Sequence, residues 1–351
     1  MDYSYPLLQK VFNHYYKEGA DVSKAKLYSC MHLLAPQIEM YKYFIKFGFS
    51  PSNIIALGKI YSSNIEAIEE LRSLGVSVVQ PDFDGRAFDT THAENCKKIA
   101  LEIGDTEQNI VLDDGGFLIH EARSKPVRFA VEQTSSGFRK LENDCPQFPI
   151  FNVARSKTKL TQESPLIARQ IFERVVDYAK ENGLESPKVV IVGLGPIGEA
   201  TLQIFKSNSF DTTGFDKETT KTELLSALLK NKPDIVIGAT GSPLFSSDDV
   251  KELEGNHIYH LVSVSSSDRE YPVASYRSAE GVHEVVRYEN LRFVNNGFPI
   301  SFKGSKNELT PVEIEKTIAL LMGSVFHGVC NKSQESGFVE VPEELQDLIN
   351  S

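Results

Sequence analysis

Along the first third of the chain, short apolar runs alternate with segments whose apolar residues recur at helical spacing. "AKLYSCMHLL" is an apolar run of strand length, and "APQIEMYKYFIKFGF" behind it carries helical periodicity. "NIIALGKIY" and "VSVVQPD" read as strands on either side of a helix, "NIEAIEELRSLG", that ends at a glycine. "HAENCKKIALEIG" predicts a further helix, and "QNIVLDDGG" a strand running into a turn. This alternation predicts a parallel α/β domain. Its end is expected near residue 160, where "LTQESPLIARQIFERVVDYAKENG" predicts a long helix able to bridge two domains.

The second half opens on Val189–Val192, a β-branched run predicted to be a buried strand. "DIVIGAT" and "HIYHLVSVS" are further strand candidates. From Leu309 onward, "LTPVEIEKTIALLMGSVFHGV" predicts a helix with Pro311 in its first turn, where a missing N–H costs little. The acidic tail "VEVPEELQDLINS" is expected to be a surface segment.

The run "VVIVGLGPIGEA" carries the most specific chemistry. Gly193-x-Gly195-x-x-Gly198 follows a strand and opens a helix, the context that a dinucleotide fingerprint requires. The first glycine makes a tight turn, the second lets backbone approach a pyrophosphate, and the third packs helix on strand. Pro196 and Ile197 lie between them, at the positive helix N-terminus where the pyrophosphate would sit. Asp216 follows Gly193 by 23 residues, placed to accept from ribose hydroxyls and to repel a 2′-phosphate. NAD is therefore expected over NADP, with Thr240 and Gly241 after the next strand completing the cofactor-binding set.

Composition narrows the function classes. The chain has 351 residues and a net charge of −11, with no basic stripe, so no nucleic-acid partner is expected. The first residues show no basic segment followed by an apolar one, and no apolar run reaches membrane-span length. No signal peptide, no membrane partner and a cytoplasmic location are the expectations. The four cysteines are widely spaced, which suits free thiols in a reducing compartment. His257 and His260 lie three apart on a strand and face opposite sides, so no metal is expected.

Five segments in order resemble S-adenosylhomocysteine hydrolase: "SCMHLL" (29–34), "NIVLDDGG" (109–116), "EQTSSG" (132–137), "FNVARSKTKLTQES" (151–164) and the fingerprint with Asp216. The resemblance implies an α/β fold of two Rossmann-like domains with parallel sheets. Residues 1–165 would form the substrate (catalytic) domain and 166–304 the NAD-binding domain. Residues 305–351 would supply a C-terminal helix and tail packing back on the first. It also implies resident NAD that transiently oxidises a secondary alcohol, allowing elimination and addition at the neighbouring carbon. Lys159 matches the lysine that assists the alcohol oxidation, and beside NAD⁺ its ammonium would have a depressed pKa. Asp114 matches a catalytic carboxylate, and His32 a histidine that handles protons near the leaving group. Glu163 would orient Lys159. Gln133 and Asp113 fall on the substrate side, Asp113 also admitting a structural role. Thr134, Ser135 and Ser136 match three threonines that contact the nicotinamide end of the cofactor.

The departures gather where the family reads adenosine. Gln133 replaces a substrate-binding glutamate, and Leu34 and Pro36 replace side chains that read the base. Glu163 replaces an aspartate, Ala168 a cysteine and Ser266 a histidine. A site that loses hydrogen-bonding groups to a base loses much of its affinity for it. The expected enzyme is therefore of the hydrolase type with a divergent small-molecule pocket, acting as a dimer or tetramer. Two other readings stay open. The family's C-terminal tail is missing, which suits a net oxidoreductase of a small alcohol with freely exchanging NAD. Gln133, Ala168 and Ser266 suit a non-catalytic NAD-binding regulator.

Overall fold

The computed structural model describes residues 4–17, 19–106, 108–278, 281–308, 310–331 and 335–351. The chain runs through α1 (Pro6–Tyr16), β1 (Lys26–Leu33), α2 (Ala35–Phe47), β2 (Ile54–Ser63), α3 (Ile65–Ser73), β3 (Ser77–Val79) and α4 (Phe88–Leu101). It continues with β4 (Asn109–Asp113), α5 (Phe117–Glu121), β5 (Val127–Glu132), α6 (Ser135–Leu141), β6 (Pro149–Asn152) and α7 (Lys157–Glu181). Then come β7 (Val189–Val192), α8 (Pro196–Ser207), β8 (Thr212–Phe215), α9 (Lys221–Asn231), β9 (Ile235–Gly238), α10 (Ser247–Glu252) and β10 (Tyr259–Ser263). The last elements are β11 (Val286–Tyr288), β12 (Leu291–Phe293), α11 (Pro311–Cys330), β13 (Gly337–Val339) and α12 (Glu343–Asn350).

These form two compact α/β units. The first holds Met1–Asp82, His92–Gln162 and Gly304–Ser351, and the second Phe83–Thr91 and Glu163–Lys303. The first unit carries a parallel seven-stranded sheet in the order β13-β6-β5-β4-β1-β2-β3. Strand alternation sends Leu27 and Met31 into a core shared with α1, α2, α11 and α12, and Tyr28 and Cys30 into one shared with α4 and α5. The second unit has the order β11-β12-β10-β9-β7-β8, parallel except for the edge strand β11.

Most predicted elements appear where their periodicity places them, and two findings depart from expectation. The tail is not a surface segment: β13 joins the first sheet, and Val341, Leu345 and Ile349 are buried in its core. The segment Phe83–Thr91 lies in the second unit despite its early place in the chain. Arg277 holds it by donating to the carbonyls of Gly85 and Arg86, while Asp268 accepts the Phe88 N–H and pairs with Arg277. Helix α11 packs on α1 and α2, so the chain returns to the first unit as expected; Leu309, its expected first residue, is outside the described residues. Among the described residues, no helix is long and apolar enough to cross a membrane.

Candidate active site

In an open parallel sheet, ligands bind beyond the carboxyl ends of the strands. In the first unit those ends carry a cluster of buried charge. His32 comes from β1, Lys59 and Ser62 from β2, Asp113 ends β4 with Asp114 just after it, and Glu132 ends β5 with Gln133 just after it. Lys59 and Ser62 reach the site through a bulge. Met31 pairs with Gly58 and Leu33 with Ser63, so β2 spends extra residues opposite His32, and the Ser63 hydroxyl closes the loop on the Lys59 carbonyl.

Asp114 is the hub. Its Oδ1 accepts from the Lys59 ammonium, and both side chains are almost fully buried. Its Oδ2 lies 3.2 Å from His32 Nε2 without an aligned hydrogen bond. Burial alone would raise the Asp114 carboxyl, but the Lys59 ammonium and His32 outweigh it and hold it well below the usual range. The same partnership, against a burial penalty, keeps Lys59 charged. Burial lowers the proton affinity of His32 despite Asp114 beside it, so the ring is neutral at neutral pH. The Ser62 hydroxyl against Nδ1 and the Asp114 carboxylate near Nε2 hold the ring between them.

A second row runs across the sheet. Glu132, Asp113 and Cys30 are in-register neighbours on β5, β4 and β1, all fully buried. Asp113 Oδ2 accepts the Ile119 N–H, and Glu132 Oε1 accepts from Gly115 N, Thr134 N and Thr134 Oγ1. Asp113 Oδ1, Glu132 Oε2 and Gln133 Oε1 are buried without a hydrogen-bond partner. These three atoms lie on residues at the carboxyl ends of the adjacent strands β4 and β5, where a ligand could satisfy them. Burial pushes the Asp113 carboxyl up to about 6, and burial together with Asp113 pushes Glu132 up to about 8.

Those raised values predict a pH dependence. A carboxyl whose folded pKa is raised stabilises the fold fully in acid and loses that contribution as pH rises through the folded value. Stability is expected to fall between about pH 4 and 8, by up to about 1.4 kcal/mol per pH unit for each group titrating. Glu132→Gln should flatten the fall above pH 6, as urea melts at stepped pH would show. An unchanged slope would contradict the assignment.

The glycines of "LDDGG" and "SSG" let these groups come together. Gly116 has φ +71°, and a Cβ there would lie 2.8 Å from the Gly137 Cα. A Cβ on Gly137 would run into the Glu132 carboxyl. Thr134 caps α6 by accepting the Gly137 N–H, so its hydroxyl serves the loop; Ser135 and Ser136 occupy the first turn, half-exposed. Lys159, early in α7, donates from Nζ to the Gln133 carbonyl at 2.7 Å. Glu163 lies four residues on in that helix, in the second unit.

The expected cofactor residues lie in the second unit. Gly193 has φ +95°, and a Cβ on it would lie 2.8 Å from the Ala239 carbonyl. A Cβ on Gly198 would strike the Gly193 carbonyl oxygen. Gly195, by contrast, faces open space ahead of α8, whose first residues are Pro196 and Ile197. The loop thus offers backbone and a helix N-terminus to an anion, with no side chain in the way. Asp216 Oδ1 accepts the Leu194 N–H at 3.0 Å and so braces the loop. Thr240 and Gly241 direct their N–H groups at Glu270, a buried carboxylate that also accepts from Ser263 and Ser265. These two donors therefore serve the protein's own carboxylate.

The sequence brings His32, Asp114, Asp113, Gln133 and Lys159 to the first unit, and the structure places all five at the strand ends or against them. It gives no warning of Ser62 or Glu270, and Glu132 opens the segment "EQTSSG" without a role of its own. For Lys59, one signal was available: a lone lysine inside the apolar run "NIIALGKIY".

No family model matches the chain. An uncharacterized protein of Mycobacterium tuberculosis, found in strains H37Rv and CDC 1551, is 28% identical over 327 residues, covering 86% of this chain. The chain spans 63% of the length of that relative. Among solved structures, the pyruvate reductase of Chlamydomonas reinhardtii aligns over 89% of this chain and 98% of its own, at 11% identity and a TM-score of 0.41. A dipicolinate synthase chain from Bacillus halodurans aligns over 88% and 100%, at 10% identity and a TM-score of 0.44. The correspondence with S-adenosylhomocysteine hydrolase stays on the five sequence segments.

Proposed function

We propose that the chain is an NAD-dependent enzyme of the S-adenosylhomocysteine hydrolase type, acting on a small secondary alcohol through a pocket rebuilt on the base-reading side. The observation that carries this reading is the buried cluster of Lys59, Asp114, His32, Asp113, Glu132 and Gln133, with three polar atoms left for a ligand.

The Gly193–Gly198 loop fits a dinucleotide, with open space at Gly195 and α8 beginning behind it. Bound NAD would supply a reversible hydride acceptor for the alcohol carbon. Asp114, fixed as the anion by Lys59, anchors a hydroxyl by accepting a hydrogen bond from it. Neutral His32 takes up and returns a proton at Nδ1 or Nε2, steadied by Ser62 and Asp114. Lys159 Nζ, held at the Gln133 carbonyl, assists removal of the alcohol proton. Glu132, with a pKa raised to about 8, keeps a proton at neutral pH and can donate from Oε2. In the second unit, Asp216 carries the preference for NAD's ribose hydroxyls.

The test has two parts. Small molecules co-purifying with the protein are identified by mass spectrometry, and NAD with a nucleoside or related alcohol is expected. NAD and NADP are then titrated against wild type and Asp216→Ser. Wild type should prefer NAD, and the variant should narrow that preference at least about tenfold, or ~1.4 kcal/mol. If NAD neither co-purifies nor binds, or no secondary alcohol in a broad panel reduces it, the reading is wrong.

A further inference from the structure

The face of the first sheet opposite α11 carries a group that the proposed chemistry does not use. His92 and Cys96 are four residues apart on α4, which puts both on one side of that helix. That side meets Cys30 of β1: Cys30 Sγ lies 3.2 Å from His92 Nε2 and 4.0 Å from Cys96 Sγ. All three side chains are buried, and their ligand atoms lie within 4.8 Å of one another.

We propose that Cys30, His92 and Cys96 form a binding site for a thiophilic divalent metal, zinc being the best match. Zinc bonds sulfur at about 2.3 Å and imidazole nitrogen at about 2.0 Å, so a tetrahedral site sets such atoms roughly 3.5–3.8 Å apart. The two Cys30 separations bracket that range, and binding would draw all three ligand atoms together from within 4.8 Å. Two thiolates balance the ion's charge and the histidine enters neutral, so the bound group adds no net charge to an apolar core. The metal would pin α4 to β1 at His92, where the chain re-enters the first unit. Because the site is closed, it would load as the protein folds.

The test is expression of the full chain in medium supplemented with zinc, and separately with cobalt, under reducing conditions, followed by extensive dialysis. About one metal per chain is expected, and the cobalt form should show thiolate-to-cobalt charge-transfer absorption. In His92→Asn and Cys96→Ser, checked for folding by circular dichroism, retained metal should fall below about a tenth of an equivalent. Should those core variants fail to fold, Cys145→Ser/Cys330→Ser leaves the site untouched and must keep the absorption. Absence of stoichiometric metal, metal surviving in folded His92→Asn and Cys96→Ser, or loss of the absorption in the outer-cysteine variant would each overturn the proposal.

Discussion

Lys59→Met is expected to destabilise the protein by about 3–5 kcal/mol, because it leaves the Asp114 carboxylate buried without its cation. The methionine keeps much of the lysine's apolar stem, so the loss reports the charge and not a cavity. Lys59→Met/Asp114→Leu removes both charges and should recover most of that stability, since a buried pair is often no stronger than apolar groups of similar volume. Urea melts of the three proteins at pH 7 decide the matter. The sign follows from Asp114's depressed pKa: its contribution is present throughout the neutral range and is lost only in strong acid, as pH falls through the folded value. A single variant that melts with wild type would show that the charges are not paired in the folded protein. Activity should be lost in both variants, because Asp114 no longer stands as a fixed anion beside His32.

Lys159→Ala is expected to leave NAD binding intact and to slow substrate-driven reduction of that NAD by about 10²–10⁴, the range for loss of a positioned acid–base group. The argument rests on where Nζ lies: it is held by the Gln133 carbonyl, at the end of β5 among the unpartnered polar atoms. The fingerprint loop and Asp216 belong to the other unit, so cofactor affinity should be unaffected. Single-turnover absorbance of reduced nicotinamide, with NAD content measured in parallel, separates the two effects. Reduction at the wild-type rate would remove Lys159 from the chemistry. Loss of NAD along with activity would mean that Lys159 holds the fold or the cofactor instead.

Much of the site is legible before folding because its residues lie in local patterns. "LDDGG" marks a strand end by its turn chemistry, and "VVIVGLGPIGEA" marks a strand, a tight turn and a helix by glycine spacing. Lys59 is hidden because "NIIALGKIY" reads as one continuous strand, and only the register between β1 and β2 exposes the bulge that turns the lysine toward Asp114. Glu132 is hidden for a related reason. Its raised pKa comes from burial and from lying level with Asp113 on the next strand, a neighbour 19 residues away in sequence. Cys30 and Cys96 look unrelated until α4 settles on β1.

By itself, the sequence determined the alternation of strands and helices, the glycine loop with its acidic partner, and the order of the candidate acid–base residues. Each is a property of spacing within a short window, where side-chain periodicity and backbone freedom act directly. Tertiary structure alone decided which charges are buried together, which donors the protein keeps for itself, and that Phe83–Thr91 belongs with residues 163–303. Burial and register are relations between distant segments, and they set the protonation of Asp114, Glu132 and His92.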